Sequence, residues 1–432
     1  MSAHDAGNFL IRGASLRGWS GQPERTCDVR VRAGAWDEIG DRLSAGDETV
    51  LEATGCWLTP GLVDCNASAR EPGQEQDEDL ASLARCAAAA GYVAVAVSPD
   101  TSPSNDDHAV TELIVRRSRE QGICEVLPIG ALTHRLQGTT LAPMGEMSEA
   151  GAVLFGDADR PITSSRLLRR AMEYARSFDR GVVTQPIDAD LAASGVVHEG
   201  NWSTRLGCKG FPAAAEHIAV ARDIAVCQLA QGRLHLARLS ARRSVEHVAR
   251  AKRDGIAVTC AVTPWHLLYT HADLAHYDVN LRFVAPLRSE DDRQALLAGL
   301  RDGTIDAVCS DHQPWGLAEK EVEFDRALPG AIGLQTTFAV LCRLVQQGDL
   351  DAATVVRCLV TAPRQIVGLA PPVLQLGQPA TLALLDPAAP WTFDAATNRS
   401  KSRNSPLWGK VLHGNARLTV LRGRVVHADL PL

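Results

Sequence analysis

The middle of the chain alternates short apolar runs with amphipathic stretches. The apolar runs, which we predict to be strands, lie at 62–66, 92–97, 124–129, 152–155, 182–185, 233–239, 256–262 and 307–310. Stretches between them, among them 111–119, 164–178, 213–229 and 289–300, repeat apolar residues at spacings of three and four, as helices with one buried face do. Eight strand–helix rounds predict an α/β fold, a (β/α)8 TIM barrel with its functional residues at the carboxyl ends of the strands.

Both ends of the chain have a different pattern. Segments 9–11, 27–31, 49–53 and 381–385 have the composition of short strands between turn residues, and 418–427 resembles a hairpin. Two strand-rich ends around a long middle can pair with each other. We therefore predict a small composite β domain from residues 1–57 and 368–432, and a barrel from residues 58–367.

Composition and charge limit the classes of function. The 432 residues are 45% hydrophobic and 22% charged, which is ordinary for a globular protein. The net charge is −7 without a long basic run, so nucleic acid and anionic membranes are not expected as partners. Residues 1–12 lack a signal-peptide pattern, and no apolar run reaches the roughly 18 residues of a membrane span. Eleven scattered cysteines without a CxxC pair predict reduced thiols and a cytoplasmic location.

The first predicted barrel strand opens a recognisable motif. Residues 58–73 read L-T-P-G-L-V-D-C-N-A-S-A-R-E-P-G. This stretch resembles the opening of a cyclic amidohydrolase, most closely a dihydroorotase, in which two histidines of the same frame hold a catalytic metal. The positions of those histidines are occupied here by Asn66 and Ser68. The resemblance continues through 262–267, 286–289, 333–336 and 400–406, and so covers nearly the whole chain.

The resemblance also indicates where the other site residues of the family would lie. It implies six metal-ligand positions, of which two keep an acidic residue; they are Asn66, Ser68, Asp157, Gln185, Arg238 and Asp311. Asp311 is also the family's general-base position. Arg70 matches the arginine that binds the substrate carboxylate, but its asparagine partner is Asp100, and Trp315 replaces a further histidine.

The ligand chemistry of these positions does not suit zinc. Hydrolysis of a cyclic amide needs an activated water and a polarised carbonyl, and zinc supplies both. A zinc site takes three or four ligands from His, Cys and carboxylates, whereas Asn, Ser and Gln bind zinc poorly and Arg has no lone pair to donate. We expect no metal, no cofactor and no catalytic residue. We also predict that Arg238 supplies the missing positive charge by pairing with Asp311, Asp157 or both.

Other residues near the strand ends have ordinary structural interpretations. We expect Asp157 and Asp311 to belong to a structural ion pair, and the two tryptophans, Trp265 and Trp315, to fill space at the barrel mouth. The histidines should pack or form hydrogen bonds; they are His235, His266 and His312. Two cysteines, Cys65 and Cys309, should point outward toward the helices.

A barrel that keeps the family motifs but lacks the metal ligands is expected to function by assembling with another protein. The resemblance implies a pseudoenzyme, because the dihydroorotase family contains metal-less members that assemble with the catalytic chain of aspartate carbamoyltransferase in pyrimidine (UMP) biosynthesis. The expected state is therefore a homo-oligomer or hetero-oligomer. One alternative is an active zinc-dependent dihydroorotase, or a hydantoin- or allantoin-type relative, with an atypical site. A second is a metal-free binder of a small carboxylate through Arg70.

Overall fold

The fold is described by a computed structural model that covers residues 7–430. Its strands follow one another as β1 (Phe9–Leu16), β2 (Arg25–Arg32), β3 (Ala35–Gly40), β4 (Thr49–Glu52), β5 (Trp57–Thr59), β6 (Leu62–Ala67), β7 (Tyr92–Val97), β8 (Glu125–Gly130), β9 (Leu154–Phe155), β10 (Gly181–Thr184), β11 (Val197–His198), β12 (Gly210–Phe211), β13 (Leu234–Leu236), β14 (Val258–Val262), β15 (Ala307–Val308), β16 (Leu382–Thr392), β17 (Val411–Leu421) and β18 (Arg424–Ala428).

The helices lie mostly between the strands of the middle segment. They are α1 (Leu80–Ala89), α2 (His108–Gln121), α3 (Met144–Ala150), α4 (Ser165–Arg176), α5 (Ala189–Ala192), α6 (Asn201–Leu206), α7 (Ala214–Ala230), α8 (Arg242–Arg253), α9 (Pro264–Leu268), α10 (Glu290–Asp302), α11 (Leu317–Lys320), α12 (Leu334–Gln346), α13 (Ala352–Val356) and α14 (Ala362–Ile366). The predicted helix at 289–300 begins with a capping box, in which the side chains of Ser289 and Asp292 each accept the other's backbone N–H.

Eight parallel strands form the predicted barrel. Their order is β6, β7, β8, β9, β10, β13, β14, β15, and the Ser68 N–H donates to the His312 carbonyl oxygen (2.8 Å) to join the first strand to the chain just after the last. The buried Asp64 carboxylate reinforces this closure by accepting the N–H of Ser310 (3.0 Å), while burial raises the pKa of Asp64 to about 7. The predicted (β/α)8 architecture is confirmed.

The two chain ends share one sheet, as predicted. Its main path runs β18, β17, β16, β5, β1, β2, β3, and β4 pairs with β1. The strands from the two ends meet where β16 pairs antiparallel with β5. This sheet has its own apolar core, which includes Phe9, Val29, Trp36 and Leu384. The exact division of the chain at residues 57 and 367 stays a prediction.

The interior of the barrel corrects one expectation. Cys65 and Cys309 were expected to face the helices, but they belong to an apolar cluster built by residues of several barrel strands, such as Val63 and Ala96. That cluster lies inside the barrel, whereas Ala67 packs with the helix-facing residues. The pairing of β6 with β7 shifts register between Asp64 and Ala67, so strict alternation along β6 fails there.

Within residues 7–430, no helix is long and apolar enough to cross a membrane.

Candidate functional site at the mouth of the barrel

The mouth of the barrel brings together the residues that follow the carboxyl ends of its strands. Asn66 lies at the end of β6, and its amide donates to the Asp311 carboxylate, which follows β15 (3.5 Å). Ser68, fully buried, donates through its hydroxyl to both carboxylate oxygens of Asp100 at 2.8 Å. The two positions that the family resemblance assigns to histidines therefore hold neutral side chains that bond to carboxylates.

Arg238 is the centre of this site. Its Nε donates to the Gln185 side-chain oxygen (2.8 Å), and its guanidinium also pairs with Asp311 (2.8 Å) and with Asp159. The Arg238 and Asp311 side chains are only 5% and 7% exposed. Burial opposes the charge of Arg238, but the carboxylates of Asp159 and Asp311 outweigh that cost and raise its pKa above the ordinary value. The guanidinium therefore stays charged inside the mouth.

The predicted pairing of Arg238 is confirmed for Asp311 and wrong for Asp157. The Asp157 carboxylate instead accepts the N–H groups of Leu132 and Thr133 at 2.9 Å, and the Thr133 hydroxyl. Burial raises its pKa, and these hydrogen bonds offset part of that rise. Asp157 thus anchors the chain that follows β8, and a different carboxylate completes the ion-pair group.

That carboxylate, Asp159, was missed in the sequence. It lies two residues beyond Asp157, and its side chain is 33% exposed at the rim. The signal was the D-A-D sequence at residues 157–159. Only Asp157 matched a family position, and the sequence alone does not show that the bend after β9 directs the second aspartate toward Arg238.

Arg70 is enclosed by groups of the protein itself. Its guanidinium pairs with Asp100 (2.9 Å), donates to the Gln313 side-chain oxygen (2.8 Å) and, through Nε, to the Pro314 carbonyl oxygen (3.1 Å). The ring of Trp315 lies against it, with the guanidinium carbon 3.7 Å from the ring centroid. Asp100 and Gln313 thus occupy the directions from which a substrate carboxylate would accept hydrogen bonds.

Three charged residues of the site have an unusual backbone. Arg70, Arg238 and Asp311 have φ values of 57°, 51° and 46°, in the left-handed region that L residues avoid. Such a conformation costs about 1 kcal/mol or more per residue, so surrounding contacts must hold it. At Arg238 it also ends β13 three residues before the predicted end of the strand. Here the salt bridges of the side chains are those contacts.

The histidines near the mouth have internal partners. His266 bonds through its two ring nitrogens to the Thr263 hydroxyl (2.7 Å) and the Ala285 carbonyl oxygen (2.9 Å). His312 lies 3.2 Å from the Glu78 carboxylate through Nε2 and accepts the Gly333 N–H (3.2 Å) through Nδ1. These two rings have the hydrogen-bonding roles predicted for them.

The two tryptophans differ in their surroundings. Trp265 is fully buried and stacks on Phe283 with ring centroids 6.0 Å apart, whereas Trp315 covers Arg70. Beside Trp315 lies a cavity of 530 Å³, also lined by Lys320 and Arg403. None of the six positions that the resemblance assigns to metal ligands lines that cavity, so it is separate from the ion-pair group.

The residues of the mouth do not fit a zinc ion. Zinc needs three or four donors from histidine, cysteine or carboxylate, and among residues 7–430 no group of three or more His, Cys, Asp or Glu is placed to hold a metal. Of the two retained carboxylates, Asp157 is committed to Thr133 and Leu132. The other, Asp311, is bonded to a guanidinium, and a second cation beside that group would be repelled.

Known proteins resemble this chain over nearly its full length. A family described as "Dihydro-orotase-like" matches residues 55–244. The dihydroorotase of Anaeromyxobacter dehalogenans (strain 2CP-C) is 42% identical over 424 residues, 98% of each chain. That of Geotalea daltonii is 39% identical over 97% of this chain and 99% of its own.

Solved structures support the architecture. L-hydantoinase (dihydropyrimidinase) from Arthrobacter aurescens superimposes with a TM-score of 0.83 over 99% of this chain and 97% of its own, at 22% identity. Dihydropyrimidinase from Brevibacillus agri NCHU1002 gives a TM-score of 0.80 over 98% and 95%, at 20% identity. At such identities the likeness establishes the fold alone. The identity to the two dihydroorotases over almost the whole chain establishes more: the chain belongs to the dihydroorotase-like family.

Proposed function

We propose that this chain is a non-catalytic member of its family. In this role it supports the assembly and activity of aspartate carbamoyltransferase in de novo pyrimidine biosynthesis, as a cytoplasmic subunit of a hetero-oligomer. The observation that carries the proposal is the buried guanidinium of Arg238 between Asp311, Asp159 and Gln185. A fixed positive charge thus lies among the residues at the six positions where the family resemblance implies metal ligands.

Two consequences of that guanidinium support the loss of hydrolysis. Asp311, the family's general-base position, is held in an ion pair and also accepts the amide of Asn66. The Asp311 carboxylate oxygen that already accepts hydrogen bonds from Arg238 and Asn66 is not free to accept a proton from a water molecule. In addition, the positions that would activate a water molecule through zinc offer an amide, a hydroxyl and a guanidinium in place of imidazoles.

The identity of the partner rests on the family resemblance. Metal-less members of the family assemble with aspartate carbamoyltransferase, and the preserved fold of this chain supports such a role. Most of the barrel core is fully buried, and the left-handed residues at the mouth are held by salt bridges. A chain that has lost its site but kept a tightly packed frame is suited to presenting a rigid surface.

Co-expression tests this function. The catalytic chain of aspartate carbamoyltransferase from the same genome is produced alone and together with this chain, and its assembly state and carbamoyl transfer are measured. We expect a stable complex, and transferase activity that drops when this chain is omitted. A transferase that assembles and works equally well alone would refute the proposal.

A second candidate is an active zinc-dependent dihydroorotase or related cyclic amidohydrolase with an atypical site. It is favoured by the 42% identity to a relative named dihydroorotase. Stoichiometric zinc together with turnover of dihydroorotate would favour this candidate. Binding of a small carboxylate through Arg70 without metal has weaker support, because Asp100, Gln313 and Pro314 already accept from its guanidinium.

A further inference from the structure

Three adjacent helices form an unusually basic face on the outside of the barrel. Helix α7 packs between α4 and α8. Helix α4 carries four arginines and one glutamate, and α8 carries four arginines, one lysine and one glutamate, although the whole chain has a net charge of −7. Positive charge is therefore concentrated on one side of a protein that is acidic overall.

Many of these arginines have no side-chain partner among residues 7–430. Among the described residues, four exposed arginines of α4 and α8 form no ion pair or hydrogen bond through their side chains; they are Arg166, Arg170, Arg243 and Arg253. On α4, by contrast, Arg169 pairs with Glu173 at 2.8 Å. Exposed like charges that outnumber their counter-charges, as on these helices, repel one another, so an acidic surface placed against them would relieve that repulsion.

Helix α7 contributes an apolar ridge between the two basic helices. Ile218 and Leu229 are 44% and 61% exposed, and with the exposed Ala225 between them they recur at helical spacing along one face. The ridge is tied to both neighbours. Arg222 of α7 donates to the Thr163 carbonyl oxygen just before α4 (3.4 Å), and the rings of His217 and His247 link α7 to α8 with centroids 6.0 Å apart.

We infer that this face, which we name the arginine face (Arg166, Arg170, Ile218, Leu229, Arg243 and Arg253), docks an acidic protein surface. An apolar centre with arginines around it is the composition typical of protein interfaces, where arginine is enriched and lysine depleted. Nucleic acid is disfavoured as an occupant by the apolar ridge and by the overall negative charge.

The size of the arginine face suits one side of a stable complex. The 17 residues of α7 extend for about 25 Å, and three helices packed about 10 Å apart give a face of roughly 600 Å². One partner buries roughly 800 Å² in a standard interface. The identity of the partner as the transferase rests on the proposed function, whereas the location and chemistry of the surface rest on these helices.

Binding of the transferase catalytic chain to charge-reversed variants tests the inference. The test variant is Arg170→Glu with Arg243→Glu. The matched control is Arg85→Glu with Arg119→Glu, which reverses two exposed arginines of α1 and α2 that form no ion pair with the residues the structure describes. A third variant, Leu229→Ser, tests the ridge. Circular dichroism and urea midpoints confirm that each variant is folded before Kd is measured by calorimetry.

We expect the Arg170/Arg243 variant to bind about tenfold or more weakly, with the control unchanged and wild-type affinity falling as salt rises. If the Arg170/Arg243 variant binds the transferase with wild-type affinity, docking through the arginine face is refuted and the proposed function still stands. Absence of any wild-type complex would overturn both. The inference is also refuted if the wild-type chain binds a fluorescent DNA duplex as tightly as it binds the transferase and the Arg170/Arg243 variant loses that DNA binding.

Discussion

Replacement of Arg238 by methionine should destabilise the barrel strongly. The substitution keeps an apolar side chain of some length but leaves Asp311, 7% exposed, without its cation, and Gln185 without its donor. Removing one partner of a buried ion pair costs about 3–5 kcal/mol, because the remaining charge stays desolvated. That is a large share of the roughly 5–15 kcal/mol by which folded proteins are stable. Asp159 adds little, since its side chain is one-third exposed.

Urea unfolding followed by circular dichroism measures this loss. A matched control is Arg253→Met. This arginine is exposed and forms no ion pair within residues 7–430, so the variant should stay within about 0.5 kcal/mol of wild type. The double variant Arg238→Met with Asp311→Asn should recover most of the loss, because neither position of the pair is then charged and asparagine tolerates the left-handed backbone at position 311. A loss below about 1 kcal/mol in the single variant would refute the structural role of the ion pair.

Three further outcomes follow from the same site and from the barrel interior. Replacing four former ligand positions by histidine (Asn66, Ser68, Gln185 and Arg238) should raise the zinc content from near zero to about one ion per chain; an unchanged content by plasma mass spectrometry would contradict the ligand argument. Burial lowers the pKa of His235 from 6.5 to about 3, so the unfolded chain binds about one more proton at this residue between those pH values. His235 should therefore reduce the free energy of unfolding by about 1.4 kcal/mol for each pH unit of the drop from about 6.5 toward 3. Urea unfolding of His235→Leu over the same pH range should show a decrease that is shallower by that amount. Because Arg70 is enclosed, dihydroorotate should not raise the melting temperature of wild type, and a saturable rise lost in Arg70→Met would show that the arginine still binds a carboxylate.

Much of the fold could be predicted because its periodicity is strong. The run 92–97 coincides with β7, and the helix predicted at 213–229 lies one residue from α7. Several barrel strands are shorter than their apolar runs, as with 233–239 against Leu234–Leu236. The carboxyl ends of these runs leave the sheet to form the mouth, and a left-handed residue such as Arg238 ends the strand although apolar residues continue.

The site was predictable in its positions and less so in its pairings. Family motifs placed Asp311 and Arg238 together, and charge complementarity predicted their ion pair. The choice of Asp159 over Asp157 depends on the backbone after β9, where Asp157 is bonded to Thr133. Sequence alone does not determine which of two nearby carboxylates a loop directs inward. The inward position of Cys65 was missed for a similar reason, because the register shift in β6 appears only in the paired strands.

The most direct test of the central claim is hydrolysis of dihydroorotate by the purified wild-type chain, with its zinc content measured before and after incubation with added zinc. If the Arg238 ion pairs stand in place of a metal, as proposed, the chain should hold well below one zinc ion and show no turnover above the no-enzyme rate, whether or not zinc is added. One zinc ion per chain together with turnover that a chelator abolishes would contradict it.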